Sequence, residues 1–135
     1  MTLLMPLPPQ NPSDANPITW VVCLCADWCG LCSDYRPVFQ QVAAQQARLY
    51  PDCRFAWVDI EEQADWVGDM DIETFPTLLV ADGHGVLFFG PLMPHAETLS
   101  RLLLALQTPG VNKVAHSMLT ENLLSALHDM PELWL

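Results

Sequence analysis

Val21-Val22-Cys23-Leu24-Cys25-Ala26-Asp27-Trp28-Cys29-Gly30-Leu31-Cys32-Ser33-Asp34-Tyr35-Arg36-Pro37 passes from one periodicity to another within seventeen residues. Residues 18–25 are an almost unbroken apolar run, the pattern of a central parallel strand buried on both faces. Alternation within that strand turns Cys23 and Cys25 to one face, toward a core, where thiols are usually inert. A helical pattern then opens inside Cys29-Gly30-Leu31-Cys32. The spacing places the first sulfur at a helix N-terminus and the second about one turn on, close enough to close a disulfide after small adjustments. The positive end of the helix dipole favours a thiolate at Cys29. That suits thiol–disulfide exchange, with Cys29 attacking and Cys32 resolving the mixed disulfide. Trp28 would shield the pair on one side, and Gly30 would let the backbone turn tightly beside it. Two other readings stay open on spacing alone, half of a zinc site and an inert structural pair. Zinc normally takes four ligands, and Cys53, His84, His95, His116 and His128 show no ligand spacing.

Working outward, residues 1–17 hold five prolines among polar residues and predict an extended arm. A helix is expected from Cys29 to about Leu49, with Val38, Phe39, Val42, Ala43 and Leu49 as its apolar stripe and Pro37 bending it. Residues 53–60 read as a second strand and 61–68 as a short helix with Ala64 and Val67 inward. Pro76 opens a third strand, a position that tolerates proline. Asp82-Gly83-His84-Gly85 forms a hairpin turn, and residues 86–89 return as a fourth strand broken by Gly90-Pro91. A helix spans about residues 95–107, with Leu99, Leu102, Leu103 and Leu106 on one face. A further amphipathic helix at 117–129 carries Leu119, Leu123, Leu127 and Met130. Two parallel strands with a crossover helix, followed by a hairpin, predict an α/β fold with a mixed four-stranded sheet flanked by helices. Residues 1–17 form the arm, 18–110 the domain, and 111–135 a C-terminal helical extension packed on it.

Bulk composition narrows the function classes. The chain has 135 residues, 51% of them hydrophobic, enough for one domain with a proper core. With 5 basic against 16 acidic residues the net charge is −11, which speaks against nucleic acid and anionic membrane as partners. No apolar run is long enough to span a bilayer, and the N-terminus lacks the basic start of a secretory signal. Five cysteines with one close pair fit a reducing cytoplasm. Seven acids between Asp59 and Glu73 read as a solvated acidic face, with no calcium-loop spacing. His95 is expected to reach solvent, and Trp134 to pack on its own helix.

Three features together resemble the thioredoxin superfamily. Ala26-Asp27-Trp28-Cys29-Gly30-Leu31-Cys32 is similar to its active-site loop, Pro37 falls at its helix-kinking proline, and Thr74-Phe75-Pro76-Thr77 is similar to its cis-proline loop. Gly90 also fits a glycine near that family's active-site surface. The resemblance spans about residues 18–106. It implies that Pro76 is cis and faces Cys29, with Phe75 pairing an incoming peptide like an added strand. It further implies a cytoplasmic protein-disulfide reductase that needs no organic cofactor or metal. Its partners would be protein disulfide substrates and an electron-donating reductase, and a monomer is the default.

Several departures accompany the likeness. Leu31 stands where proline is usual between the cysteines, and Ser33 where a basic residue often follows. Cys23 replaces the family's buried aspartate and Trp57 the lysine that partners it. Asp27 and Asp34 add negative charge that opposes a thiolate. The family's first strand and helix are missing or degraded, and the C-terminal helix would cover the surface left exposed. These departures keep alive a non-catalytic binding or assembly module, or a redox sensor, that uses the acidic surface.

Overall fold

Tertiary structure turns on a strand at Trp20–Cys25 (β1), every residue of which is buried. The structure, a computed structural model, describes residues 18–26, 28–49, 52–68, 72, 75–82, 85–107, 114–115, 118–131 and 134–135. The expected proline-rich arm, Asp27, Asp69, Asp71, Glu73, Thr74, Gly83, His84, His116 and the Leu119 side chain lie outside the described residues.

A helix at Gly30–Leu49 (α1) leads to a strand at Arg54–Asp59 (β2) and a single turn of helix at Ala64–Val67 (α2). A hairpin of Thr77–Ala81 (β3) and Gly85–Pro91 (β4) follows, then a helix at Ala96–Leu106 (α3). A two-residue strand, Val114–Ala115 (β5), precedes the last helix, Met118–His128 (α4). Sheet order is β2-β1-β3-β4-β5. β1 runs parallel to β2, with Cys23 opposite Trp57, and antiparallel to β3, with Cys23 opposite Leu78. The mixed four-stranded sheet flanked by helices is therefore present, with β5 adding a short fifth member beside β4.

The pleat sorts β1 into two cores. Val21, Cys23 and Cys25 join Tyr35, Phe39 and Val42 of α1 and Leu99, Leu103 and Leu106 of α3. Trp20, Val22 and Leu24 face the other way, toward Val67, Leu123, Leu124 and Leu127. The buried residues of α1 are Cys32, Tyr35, Phe39, Val42 and Ala43, a spacing of one helix face. Leu49, expected on that stripe, is instead 68% exposed, because the helix has run past the sheet by its last turn. Pro37 sits within α1 on the solvent side, where the carbonyl left without a helical donor can meet water. Ala64 is exposed and only Val67 of α2 is buried, since one turn of helix presents one residue inward.

The hairpin differs slightly from expectation. Gly85 is already in β4, its N–H donating to Asp82 Oδ1 at 2.9 Å, and Pro91 pairs with Thr77 instead of breaking the strand. Proline is accommodated there because it is the strand's final residue. The C-terminal segment covers the opposite edge of the sheet. Trp134 bridges Ala56 of β2, and the Leu135 N–H donates to the Phe55 carbonyl at 2.8 Å. Trp134 also donates its indole N–H to Leu127 O at 2.7 Å and stacks edge-on against Trp20. Packing against its own helix is thus the role observed for this tryptophan. α4 and this segment together cover the sheet face and edge opposite α1 and α3.

Candidate active site

Two turns meet at the end of β1 where the sheet gives way to α1. Cys25 closes the strand, and its carbonyl accepts from Ile60 N–H at 2.8 Å, tying the strand end to the turn after β2. Cys29 immediately precedes α1, its N–H donating to Ala26 O at 3.0 Å and its carbonyl accepting the first helical bond, from Ser33 N–H at 3.2 Å. It therefore occupies the N-cap, where helix N–H groups converge without intrahelical partners. The Cys29 side chain is half-buried and its thiol is free. Gly30 is the first residue of the helix, and a Cβ built on it would meet nothing within 4 Å. The tight turn expected at Gly30 is not required; among the described residues only Gly68 has a positive φ.

Trp28 and Leu31 flank Cys29 and are 68% and 53% exposed. The Trp28 ring lies edge-on to Phe75, centroids 5.7 Å apart, and its indole N–H donates to Glu61 Oε2 at 2.9 Å. Phe75–Pro76 is a cis peptide bond, as the family resemblance implies. Pro76 is buried, and its carbonyl accepts from Leu92 N–H at 3.2 Å. Phe75 packs on the same core as Cys29, and its ring contact with Trp28 joins the proline loop to the cysteine loop. Gly90, in β4 opposite Leu78, is half-buried, and a Cβ there would make an ordinary 3.7 Å contact with the Phe88 ring. Asp59 holds the neighbouring turn, its Oδ1 accepting from Glu61 N–H at 2.8 Å and Glu62 N–H at 3.0 Å. Glu61, on that turn, sets its carboxylate against Trp28, and Glu62 and Asp65 are exposed further along the same segment.

The sulfur pairing departs from expectation. The disulfide predicted between Cys29 and Cys32 is instead between Cys25 and Cys32, with Cα atoms 5.8 Å apart. The physical reason is the pleat: odd-numbered residues of β1 face α1, and Cys32 is the third residue of that helix, with its side chain inward. Inertness of Cys25, expected from its burial, is likewise corrected. The missed signal is the βα connection itself: a strand ending at residue 25 and a helix starting at 30 bring strand end and first turn within disulfide reach.

Cys23 lies one pleat deeper, its sulfur 3.7 Å from that of Cys25. Since Cys25 is disulfide-bonded, the Cys23 S–H is the donor of this contact. Burial pushes the Cys23 thiol far above the ordinary thiol range, with the Arg36 charge pulling the other way. The Tyr35 phenol is likewise pushed up, by burial and by Cys23, and its hydroxyl has no hydrogen-bond partner among the described residues. Trp57, 7% exposed, stacks under the Arg36 guanidinium at 5.2 Å. The places of a buried acid and its lysine are therefore held by a neutral thiol and an indole. Cys53 is separate, half-buried just before β2, its thiol pushed up to about 12 by burial. Among the described residues no three His, Cys, Asp or Glu side chains are grouped to hold a metal ion, and no helix is long and apolar enough to cross a membrane.

The family model for thioredoxin matches residues 13–89. A thioredoxin H2-1 from rice (Oryza sativa subsp. japonica) is 33% identical over 63 residues, 47% of this chain and 43% of the relative. A thioredoxin H-type from Picea mariana is 34% identical over 62 residues, covering 45% of this chain and 46% of the relative. The chain thus matches less than half the length of these curated relatives. Among solved structures, oxidised thioredoxin from Plasmodium falciparum superposes with a TM-score of 0.52 at 21% identity, covering 68% of this chain and 83% of that one. At that identity the likeness shows the fold.

Proposed function

This chain belongs to the thioredoxin family, and on that premise we propose that it is a thiol–disulfide oxidoreductase acting on protein disulfides through Cys29 and Cys32. The observation that carries the reading is the free Cys29 thiol at the N-cap of α1, next to Trp28, whose ring meets Phe75. Cys29 attacks one sulfur of a substrate disulfide and releases the other as a thiolate, which takes up a proton. With the Cys25–Cys32 bond of this structure first reduced by a dithiol or reductase, Cys32 as thiolate attacks Cys29 Sγ, releasing the second substrate thiol and leaving a Cys29–Cys32 disulfide, the pair oxidised by two electrons. A dithiol or an electron-donating reductase returns two electrons and two protons. Trp28, Gly30, Leu31, Phe75, Pro76 and Gly90 form the docking surface, with Phe75 offering its backbone to an extended peptide. A cytoplasmic location and a monomeric state complete the proposal.

Turnover of a model protein disulfide by the wild-type chain, lost in Cys29→Ser, is the expected result. Equal turnover in that variant removes the assignment.

One observation favours a second reading, a binding module or redox sensor. Cys32 is already bonded to Cys25, and the buried acid–base pair that would activate a resolving thiol is replaced by Cys23 and Trp57. That reading gains if no reductant supports turnover while the chain holds a basic client tightly.

A further inference from the structure

Four cysteines descend from the surface to the centre of the sheet in the order Cys29, Cys32, Cys25, Cys23. Cys29 is half-buried, whereas Cys32 is 2% exposed, Cys25 1% and Cys23 0%. Cys32 stands within one helical turn of Cys29 and in covalent contact with Cys25. Its sulfur can therefore be claimed from either side.

We propose that Cys25 is a third redox thiol of this site, and that an oxidised Cys29–Cys32 pair passes its disulfide inward to Cys25–Cys32, freeing Cys29 at the surface. This rests on the oxidoreductase reading and adds a residue to it. Cys25 loses its proton to solvent, and its thiolate attacks Cys32 Sγ. The Cys29–Cys32 bond breaks, the Cys25–Cys32 bond forms, and Cys29 departs as a thiolate that takes a proton from solvent. No electrons enter or leave; the step is an isomerisation of one disulfide.

Burial makes the inner bond a sheltered form of the oxidised protein. A cavity of only about 50 Å³, lined by Ala26, Cys32, Ser33, Arg36 and Trp57, adjoins Cys32. With Cys25 and Cys32 only 1% and 2% exposed, the bond is shielded from the thiol of another protein. Reduction then runs through Cys29: its thiolate attacks Cys32 Sγ, Cys25 leaves as a thiolate, and the disulfide returns to the surface. The Cys23 S–H, 3.7 Å from the departing sulfur, donates to it and steadies its charge. Meanwhile the oxidised protein keeps a free surface nucleophile but no free resolving thiol. Such a form captures a disulfide client as a lasting mixed disulfide instead of releasing it.

The test uses the full chain, oxidised with one equivalent of dipyridyl disulfide, quenched in acid, alkylated with N-ethylmaleimide and cut before aspartate. Cleavage before Asp14, Asp27 and Asp34 separates residues 14–26, with Cys23 and Cys25, from residues 27–33, with Cys29 and Cys32. The expected product is the two peptides joined by a disulfide, one maleimide on each. If peptide 27–33 carries an internal disulfide and 14–26 carries two maleimides, with no joined species, the relay is overturned. In Cys29→Ser the joined peptide should still form, but its reduction by dithiothreitol should slow at least tenfold; an unchanged rate also overturns the relay. The map requires no turnover. A chain that reduces substrate yet gives only the internal 27–33 disulfide sinks the relay alone. A joined peptide from a chain that reduces nothing, with slowed release in Cys29→Ser, supports the disulfide shift and removes the oxidoreductase.

Discussion

Cys32 is the residue for which two sulfurs compete, and its replacement separates attack from resolution. In Cys32→Ser, Cys29 keeps its place at the helix cap while neither Cys25 nor Cys29 retains a partner at position 32. Adducts with a disulfide peptide should then accumulate on Cys29, visible by intact mass; absence of any adduct would count against attack by Cys29. Trp28 acts at the same scale. At 68% exposure it contributes little to the core, so Trp28→Ala should leave thermal stability nearly unchanged. If it contacts substrate, KM should rise about tenfold, equivalent to roughly 1.4 kcal/mol of docking. An unaltered KM removes Trp28 from the docking surface. The buried thiols predict a pH effect with a definite sign. Cys53 stays protonated in the folded chain to about 12 and Cys23 is held protonated as well, whereas unfolded thiols ionise near 8.5. Their stabilisation is complete below that value and drains away as pH climbs toward the folded pKa. Under reducing conditions the urea midpoint should therefore fall between pH 8 and pH 10.5, and fall less in Cys53→Ala. Identical slopes would show that Cys53 ionises equally in both states.

At the level of elements, most of the architecture could be read from pattern. The apolar run at β1, the leucine spacing of α3 and α4, and the Cys29–Cys32 helix start each rest on local periodicity, and each element is where periodicity puts it. The cis bond at Phe75–Pro76 was accessible only through the family resemblance, because local sequence does not distinguish cis from trans. Pairing of Cys25 with Cys32 escaped because it depends on how a strand's pleat meets the next helix, a tertiary relation with no one-dimensional period. β5 and the Trp134 bridge escaped for a related reason: two residues carry no detectable alternation. Trp134 nevertheless ties α4 to β2, touching Trp20 and lying under the Arg54 guanidinium at 4.6 Å. Trp134→Ala should cost about 2 kcal/mol, near half the figure for a fully buried aromatic, measured by urea unfolding. Leu123→Ala, at 0% exposure, should cost about 3 kcal/mol. A loss below 0.5 kcal/mol at either position would mean that α4 packs only loosely on the sheet.

Across the whole molecule, a charge of −11 sets which clients approach quickly. Glu61, hydrogen-bonded to Trp28, brings that field to the rim of the proposed site. Disulfide peptides of positive charge should be reduced faster than negative ones at 20 mM salt, and the ratio should collapse toward one at 500 mM as the Debye length shrinks to a few ångströms. Equal rates at low salt would restrict the acidic face to solvation. The bridge between Ala56 and Trp134 has an effect on biosynthesis as well. The outer rim of β2 leaves the ribosome long before the segment that seals it, since 77 residues intervene between Ala56 and Trp134. During that interval the nascent sheet offers unpaired amides to neighbouring polypeptides, so early chain growth is the period in which this fold most needs a chaperone's protection.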